Sequence, residues 1–167
     1  MSARPSRPVA PVVDAATRLA VEEFLCDYAH ALDDVRIDEW PGFFTEDGIY
    51  QITTRENLEA GYPIGIIYCN GQGMMRDRIE ALKSANIFES HYYCHLLGRP
   101  SLREERPGLI AARSNFSVLR TMQDGQAEMF ASGKFLDLIA LEPVPKFRER
   151  RVVLDSRRID ILLVYPL

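Results

Sequence analysis

Residues 40–57 read Trp-Pro-Gly-Phe-Phe-Thr-Glu-Asp-Gly-Ile-Tyr-Gln-Ile-Thr-Thr-Arg-Glu-Asn, and two sequence patterns meet in this segment. Before it, apolar residues recur at helical spacing. After it, most of the chain alternates with a period of two, as strands do. Trp40, Phe43 and Phe44 lie at i, i+3 and i+4, so a short helical turn would turn three rings toward one apolar surface. We expect these residues and Tyr50 to belong to the structural core.

The rest of this segment predicts the change from helix to strand. Residues 45–48 are turn formers, and residues 49–54 are rich in β-branched and aromatic side chains. Helices therefore come first in the chain and strands later, which indicates an α+β fold.

The N-terminal part predicts an arm followed by one long helix. Residues 1–13 are rich in proline and suit a flexible arm, whereas residues 14–167 are expected to form a single domain. Asp14 is a plausible N-cap for an amphipathic helix over residues 15–32. Its apolar stripe contains Val21, Phe24, Leu25, Tyr28, Ala31 and Leu32.

The middle of the chain predicts a polar loop, a strand and a second helix. The loop covers residues 56–63 and the apolar strand residues 64–69. Residues 70–73 contain two glycines and lead into a helix predicted over 74–85. Its buried stripe would be Met75, Ile79 and Leu82.

Strands dominate the C-terminal half. Residues 109–122 and 126–141 alternate on either side of a Gln-Asp-Gly turn, and further strands are predicted at 147–155 and 159–165. Such long strands suit a strongly twisted antiparallel sheet with one face under the helices. The basic run at 146–151 is expected to be a solvated strand face.

Composition excludes several classes of protein. A chain of 167 residues is about one domain, and its net charge of −4 with a pI near 5.4 argues against nucleic-acid binding. No apolar run approaches the roughly 20 residues of a membrane span. Cys26, Cys69 and Cys94 are odd in number and widely spaced, as expected of reduced thiols in a cytoplasmic protein.

The three histidines are the natural candidates for chemistry. His91 and His95 have metal-ligand spacing for a helix, but their segment reads as a strand, where i and i+4 are roughly 13 Å apart. His30 lies near Asp33 and Asp34, so it could join Tyr50 in an acid–base pocket or simply satisfy a helix end. The residues themselves therefore predict no metal or cofactor site.

Two compact charged triplets are candidates for a protein interface. They are Arg55-Glu-Asn57 and Arg76-Asp-Arg78, each beside an apolar element. Arginine is enriched at interfaces, where charge patterns set the register of the partners. An ordinary solvated surface is the alternative interpretation. The candidate interface residues are Arg55, Glu56, Asn57, Asp77 and Arg78.

Several motifs together carry a resemblance to a known family. They are Leu32-Asp-Asp34, Glu39-Trp-Pro-Gly-Phe-Phe-Thr-Glu-Asp47, Tyr50, Arg55-Glu-Asn57, Met74-Met-Arg-Asp-Arg-Ile79, Asp155-Ser-Arg-Arg-Ile-Asp160 and Leu163-Val-Tyr-Pro-Leu167. In order and spacing they resemble the small (β) subunit of aromatic-ring-hydroxylating dioxygenases. The runs Trp-Pro-Gly-Phe-Phe-Thr at 40–45 and His95-Leu-Leu-Gly-Arg-Pro-Ser101 look most like the terephthalate dioxygenase small subunits, and the salicylate and halobenzoate hydroxylases are also similar. The resemblance implies a carboxylated, terephthalate- or salicylate-like aromatic substrate for the complex.

The resemblance implies a fold, a partner and a division of labour. The fold would be a cone similar to nuclear transport factor 2 and scytalone dehydratase, with helices packed on a curved antiparallel sheet. The partner would be a large α subunit that carries a Rieske 2Fe–2S cluster and mononuclear Fe(II), usually in an α3β3 hexamer served by a reductase or ferredoxin. This chain would hold no cofactor, metal or catalytic residue.

A second hypothesis keeps the same fold but gives the chain its own activity. In that case it would be a free-standing dehydratase or isomerase, or a small-ligand binding protein, that uses His30 or His91 with Tyr50 inside the cone. Because one fold hosts many functions, the site must decide between the hypotheses. An enzyme needs an apolar pocket with convergent polar groups.

Overall fold

The computed structural model describes residues 13–63, 65–85, 89–156 and 165–167. It contains three α-helices, a 3₁₀ helix and seven strands within these ranges. In chain order they are α1 (Ala15–Asp33), the 3₁₀ helix (Ile37–Phe43), β1 (Phe44–Thr54), α2 (Arg55–Glu59), β2 (Ile67–Asn70), α3 (Gly71–Ala85), β3 (His91–Leu97), β4 (Ser101–Arg106), β5 (Leu109–Met122), β6 (Ala127–Ala140) and β7 (Lys146–Leu154).

Helix α1 has the cap and the buried face that its sequence predicts. The Asp14 side chain accepts a hydrogen bond from the Thr17 backbone N–H at 2.9 Å, which satisfies one of the free amides of the first turn. The whole predicted apolar stripe is buried, together with Ala29. The predicted arm lies outside the described residues except for Val13, which packs against the core.

The change from helix to strand occurs earlier than predicted. The 3₁₀ helix ends at Phe43 and β1 begins at Phe44, so residues 45–48 continue the strand instead of breaking the chain. The strand accommodates these turn-forming residues because the pairing of β1 with β7 shifts register between Phe44 and Ile49. Gly48 is needed there, because a Cβ at this position would lie 2.9 Å from Thr45 O.

Three boundaries in the middle of the chain also differ from the prediction. The strand predicted at 64–69 is observed as β2 at Ile67–Asn70. The predicted loop 56–63 begins with helix α2, because the Thr54 side chain accepts the Asn57 N–H and caps a single turn. Helix α3 begins at Gly71, which has a φ of +85°, instead of Met74. Met75 and Ile79 are buried, whereas Leu82 is half-buried.

The seven described strands form one mixed sheet in the order β2-β1-β7-β6-β5-β3, with β4 also paired to β5. Five of the six strand pairings are antiparallel, as predicted. The exception to the antiparallel prediction is β1, which runs parallel to β7 with Tyr50 opposite Arg150. The predicted strand at 159–165 lies outside the described residues, apart from Tyr165.

The helices cover one face of this sheet and enclose the core. The inner face carries apolar residues in alternation, and β5 shows the pattern clearly, with Ile110, Ala112, Phe116 and Val118 buried. Helix α1 packs against β3, and α3 packs against β1, β2 and the 3₁₀ helix. The outer face of the sheet is more polar.

Candidate functional site

Aromatic rings and a chain of hydrogen bonds fill the centre of the fold. Trp40 is 0% exposed and its ring meets the Tyr50 ring edge-on, with centroids 5.0 Å apart. Trp40 Nε1 donates to the Tyr28 hydroxyl at 3.2 Å, and that hydroxyl donates to the carbonyl of Leu167 at 3.0 Å. The Leu167 N–H donates in turn to the Tyr50 hydroxyl at 2.8 Å. Phe44 is also fully buried, and Phe43 is half-buried.

The hydroxyls of Tyr28 and Tyr50, which belong to this series of hydrogen bonds, both remain protonated at neutral pH. Burial raises the pKa of Tyr28 to about 12, with the nearby charge of Arg150 opposing the rise. Burial also raises the pKa of Tyr50 well above its ordinary value. A phenol that holds its proton this tightly and is bonded to the backbone acts as a structural link and is poorly suited to general acid–base work.

A completely buried ion pair lies beside these rings. Arg150 donates from Nε and Nη2 to the two carboxylate oxygens of Asp137, both at 2.9 Å. The side chains are 1% and 0% exposed. Burial raises the pKa of the Asp137 carboxyl, and the positive charge of Arg150 opposes that rise. The two parallel hydrogen bonds pair the positive guanidinium with the negative carboxylate where solvent does not reach either group.

The guanidinium of Arg150 is also enclosed by rings. Its central carbon lies 4.3 Å from the centroid of Tyr28, 4.0 Å from that of Phe135 and 4.2 Å from that of Phe147. The prediction of a solvated face for residues 146–151 is therefore wrong for Arg150. Arg150 and Val152 point to the buried face of β7, whereas Arg148 is exposed although it is two residues before Arg150. The inward-facing positions change to Phe147 at this point because the pairing of β6 with β7 shifts register between Leu138 and Ile139.

The histidines do not form the hypothesised acid–base pocket. His30 is exposed on α1, whereas Tyr50 is fully buried and bonded to Leu167, so the pairing of these two residues is wrong. His91 is buried on β3, with its Nδ1 2.8 Å from Glu89 O and its ring packed on Tyr93. It does not join Tyr50.

Sequence reasoning missed a link between His95 and Asp33. His95 Nδ1 lies 2.6 Å from Asp33 Oδ1, and the His95 backbone N–H donates to Oδ2 of the same carboxylate at 2.9 Å. This double contact joins the C-terminal end of α1 to the middle of β3. No local pattern predicts it, because the residues are 62 positions apart.

Potential metal ligands do not gather in the described parts of the chain. His91 and His95 both belong to strand β3, as the sequence predicted, and both face inward. Within residues 13–63, 65–85, 89–156 and 165–167, no group of three or more His, Cys, Asp or Glu residues could hold a metal ion.

The first charged triplet lies at the surface around α2. Arg55 is exposed, and its Nη2 lies 2.5 Å from Asp155 Oδ1, just after the end of β7. Glu56 is also exposed, and the Asn57 side chain is half-buried. The pair of Arg55 with Asp155 ties the helix to the neighbouring strand while leaving both charges accessible to a partner.

The second triplet lies on a different element. Asp77 is exposed on α3, whereas Arg78 is half-buried with its Nε enclosed, and no hydrogen-bond partner for that Nε is found among the described residues. Helix α2 contacts β1 and β7, and α3 packs under β1 and β2. The structure therefore places the two triplets on separate helices, both of which pack against β1.

An open groove lies next to α2 on the outer face of the sheet. Its volume is about 590 Å³, and its walls include Leu58, Tyr62, Tyr68 and Arg151. The two tyrosines are largely exposed, and they form aromatic walls beside a charged rim. Aromatic and arginine side chains at an accessible surface are typical of protein interfaces.

None of the helices within the described ranges is long and apolar enough to cross a membrane.

Comparison with known proteins identifies what this chain is similar to. Residues 28–161 match the family model described as the ring hydroxylating beta subunit. The chain is 38% identical over 150 residues to beta subunit 2 of the terminal oxygenase component of terephthalate 1,2-dioxygenase from a Comamonas species. That match covers 89% of this chain and 97% of the relative. It is 36% identical over 141 residues to the small subunit of anthranilate 1,2-dioxygenase from Burkholderia cepacia, covering 84% and 88%.

Solved structures show the same cone-shaped α+β fold. A structure described as the beta subunit of an aromatic-ring-hydroxylating dioxygenase from Novosphingobium aromaticivorans has a TM-score of 0.83 at 31% identity. The match covers 91% of this chain and 97% of that one. A structure described as a scytalone dehydratase from the same species has a TM-score of 0.63 at 15% identity, covering 84% and 85%, and shares the fold alone.

Proposed function

This chain belongs to the family of ring-hydroxylating dioxygenase β subunits, and on that premise we propose that it is the non-catalytic scaffold subunit of its oxygenase. It is a component of an aromatic-ring dioxygenase complex, which is an oxidoreductase. The scaffold role means that it positions large α subunits, which carry out the chemistry.

One observation carries the scaffold role: the polar groups at the centre of the fold are committed to one another. The hydroxyls of Tyr28 and Tyr50 are bonded to Leu167, and Arg150 is bonded to Asp137. A catalytic acid or base must instead face the substrate with its proton available. A packed core of this kind gives the subunit rigidity, which suits a scaffold.

The cofactors and the substrate are assigned to the partner. We propose a large α subunit that holds a Rieske 2Fe–2S cluster and mononuclear Fe(II), three of which assemble with three copies of this chain and receive electrons from a reductase or ferredoxin. The relatives are named for terephthalate and anthranilate, which are both carboxylated aromatic molecules. A carboxylated aromatic substrate is therefore proposed for the complex. We also propose a cytoplasmic location and a single domain over residues 14–167.

The contact with the large subunit is proposed to centre on α2. Arg55, Glu56 and Asn57 present both signs of charge there, and the groove beside them adds exposed tyrosines. Charge complementarity fixes register, and buried aromatic anchors supply most of the binding energy at such contacts. Asp77 and Arg78 on α3 are proposed as a second contact point.

Reversing the charge of Arg55 tests the contact. We expect Arg55→Glu to leave the chain folded, because the pair with Asp155 is exposed and such pairs contribute under about 1 kcal/mol. Association with the large subunit should weaken by about 30-fold or more, because reversing a charge that becomes desolvated costs roughly 2–5 kcal/mol. Size-exclusion chromatography of the co-expressed subunits measures this as a shift from hexamer to separated subunits.

A charge swap distinguishes the partner contact from the contact within the chain. The double variant Arg55→Glu/Asp155→Arg restores an ion pair at the same place with the opposite polarity. If the large subunit recognises the signs of these two charges, the double variant should remain dissociated from it. An intact hexamer for Arg55→Glu, or recovery of the hexamer in the double variant, would return Arg55 to an ordinary surface role.

Removal of the histidines tests the absence of catalysis in this chain. With His30, His91 and His95 all replaced by alanine, we expect turnover close to wild type for equal amounts of assembled oxygenase. Some loss of stability is expected, because Asp33 loses its ring partner. Loss of an acid–base group typically lowers the rate 10²–10⁴-fold, so a drop of that size in intact complex would place chemistry in this chain.

A further inference from the structure

A row of side chains crosses the outer face of the sheet. The strand pairings place its members directly opposite one another, and from β4 to β2 they are Ser101, Arg113, Leu136, Arg151, Gln51 and Tyr68. Neighbouring strands lie about 4.8 Å apart, so the row is about 24 Å long, a distance that an extended segment of about seven residues spans.

An open groove follows this row and continues into the groove beside α2. The part that lies over the strands from β4 to β7, here called the sheet groove, has a volume of about 490 Å³, and its lining includes Arg113, Leu136 and Leu138. Glu149 and Arg151 line both grooves. A partner bound beside α2 can therefore extend along the sheet and stay in contact with this chain.

Leucine side chains form the floor of the sheet groove. Leu136 and Leu138 occupy alternate positions on the outer side of β6, and both are half-buried. Arg113 and Arg151 flank Leu136 on the neighbouring strands, so their backbones are about 10 Å apart. A segment in this position buries apolar surface between two positive charges.

Two arginines of the sheet groove are already balanced within the chain. Arg151 Nη2 lies 2.7 Å from Glu149 Oε1, and Arg103 is paired with Glu105. These two pairs add no net charge to the groove, so the charge that a partner meets comes from other side chains.

Two further cations on this face have no counter-charge. Arg113 is exposed, and the half-buried Lys134 lies diagonally across from it, two positions before Leu136 on β6. Neither side chain makes an ion pair or a hydrogen bond with any other residue in the part of the chain that the structure describes. Because the chain as a whole carries −4, this positive patch lies on an otherwise negative protein and attracts acidic groups.

We propose that the sheet groove binds an extended acidic segment of the large subunit, whose carboxylates meet Arg113 and Lys134 and whose apolar side chains cover Leu136 and Leu138. Arginine binds a carboxylate through two parallel hydrogen bonds, and arginine clusters recognise acidic motifs in several classes of peptide-binding protein. Nucleic-acid binding uses more phosphate contacts than two free cations provide. The inference rests on the proposed function and adds to it the chemistry of the partner segment.

The isolated full-length chain tests the groove without the large subunit. The probe is a seven-residue peptide of alternating glutamate and leucine with blocked ends, and the control peptide has glutamine in place of glutamate. We expect the glutamate peptide to shift the methyl NMR signals of Leu136 and Leu138 saturably, with a dissociation constant on the order of 1 mM, and the glutamine peptide to bind about 10-fold more weakly. The exposed Leu19 on α1 should respond to neither peptide.

Substitutions that remove only the charge identify the groups that bind. Arg113→Gln should weaken binding of the glutamate peptide about 3- to 5-fold, and Arg113→Gln/Lys134→Gln about 10-fold, because one exposed ion pair contributes up to about a fivefold gain in affinity. Binding of the glutamine peptide should not change. Arg106→Gln is the matched control, because Arg106 is exposed at the end of β4 and does not line the groove.

The co-expressed subunits test the assignment to the large subunit. Arg113→Glu should weaken their association by about 10-fold or more, because the reversed charge is desolvated beneath the acidic segment. Arg106→Glu makes the same change in net charge and should leave the hexamer intact. Size-exclusion chromatography measures both variants.

Three results would overturn the proposal. They are equal binding of the two peptides, an affinity for the glutamate peptide that Arg113→Gln/Lys134→Gln leaves unaltered, and a hexamer that Arg113→Glu leaves intact. An intact hexamer for Arg113→Glu together with dissociation by Arg55→Glu would remove the sheet groove and keep the contact at α2. The opposite pair of results would remove the contact at α2 and keep the sheet groove.

Discussion

Replacing Arg150 with methionine is expected to lower the free energy of unfolding by about 3–5 kcal/mol. The change leaves the Asp137 carboxylate with no counter-charge in a site that is 0% exposed. It also removes the guanidinium that packs against Tyr28, Phe135 and Phe147. Urea denaturation followed by circular dichroism measures the loss.

Two companion variants identify its cause. Arg148→Met changes the same residue type on the same strand at an exposed position, 3.5 Å from Asp47, and should cost under about 1 kcal/mol. The double variant Arg150→Met/Asp137→Leu removes both buried charges and should recover most of the stability. If the double variant were as unstable as Arg150→Met, shape and not charge would hold this part of the core.

The pH dependence of Arg150→Met follows from the same pair. Burial already raises the pKa of Asp137 above its ordinary value of 3.8, and loss of the opposing Arg150 charge raises it further. A carboxyl with a raised pKa in the folded state is best tolerated when protonated. The loss of stability relative to the wild type should therefore be smallest near or below pH 3.8 and grow as pH rises through the folded-state pKa of Asp137 in the variant. A deficit independent of pH would contradict this explanation.

Replacing Trp40 with alanine is the second large effect, about 3–5 kcal/mol. The substitution empties a fully buried site, removes the ring that meets Tyr50 edge-on, and leaves the Tyr28 hydroxyl without the indole donor. Because Trp40 is the only tryptophan, the two proteins must be compared by circular dichroism and not by tryptophan fluorescence.

Two controls accompany the Trp40 variant. Tyr92→Ala truncates an aromatic residue that is 62% exposed, and surface substitutions of this kind usually stay within about 0.5 kcal/mol. Trp40→Phe keeps a ring but loses the N–H, so it should cost less than Trp40→Ala. An unchanged unfolding midpoint for Trp40→Ala would mean that the core tolerates the void, against the contacts described.

Sequence patterns predicted elements whose signals are local. Helix α1 was identified with its cap at Asp14, because an amphipathic stripe and a capping side chain occupy neighbouring positions. Strand β5 was predicted with both ends correct, since fourteen alternating residues leave little ambiguity. The start of α3 was missed because glycines at residues 71 and 73 argue against a helix until tertiary packing overrides their propensity.

Features that depend on distant residues were not available from local patterns. Two such features are the parallel pairing of β1 with β7 and the hydrogen bonds between Asp33 and His95. In both cases the sequence of one segment does not indicate which distant segment it contacts. Charged residues were assigned to the surface by type, which failed for Arg150 because its phase on β7 and its partner Asp137 decide its burial. The candidate interface consists of two charged triplets, at residues 55–57 and 76–78, which the structure places on α2 and α3, and its role stays a prediction.

The position of β1 between β2 and β7 has a consequence for the rate at which the protein folds. Gln51 and Arg151 are hydrogen-bonded side by side although 100 residues separate them, and the pair of Arg55 with Asp155 spans the same distance. The hairpin of β5 and β6 can form early from local contacts, but β1 has to find β7 across most of the chain. Bringing distant strands together costs loop-closure entropy before their contacts can form. Folding should therefore be slow relative to helical proteins of similar size. Until that closure, β7 exposes an unpaired edge that invites pairing with other chains.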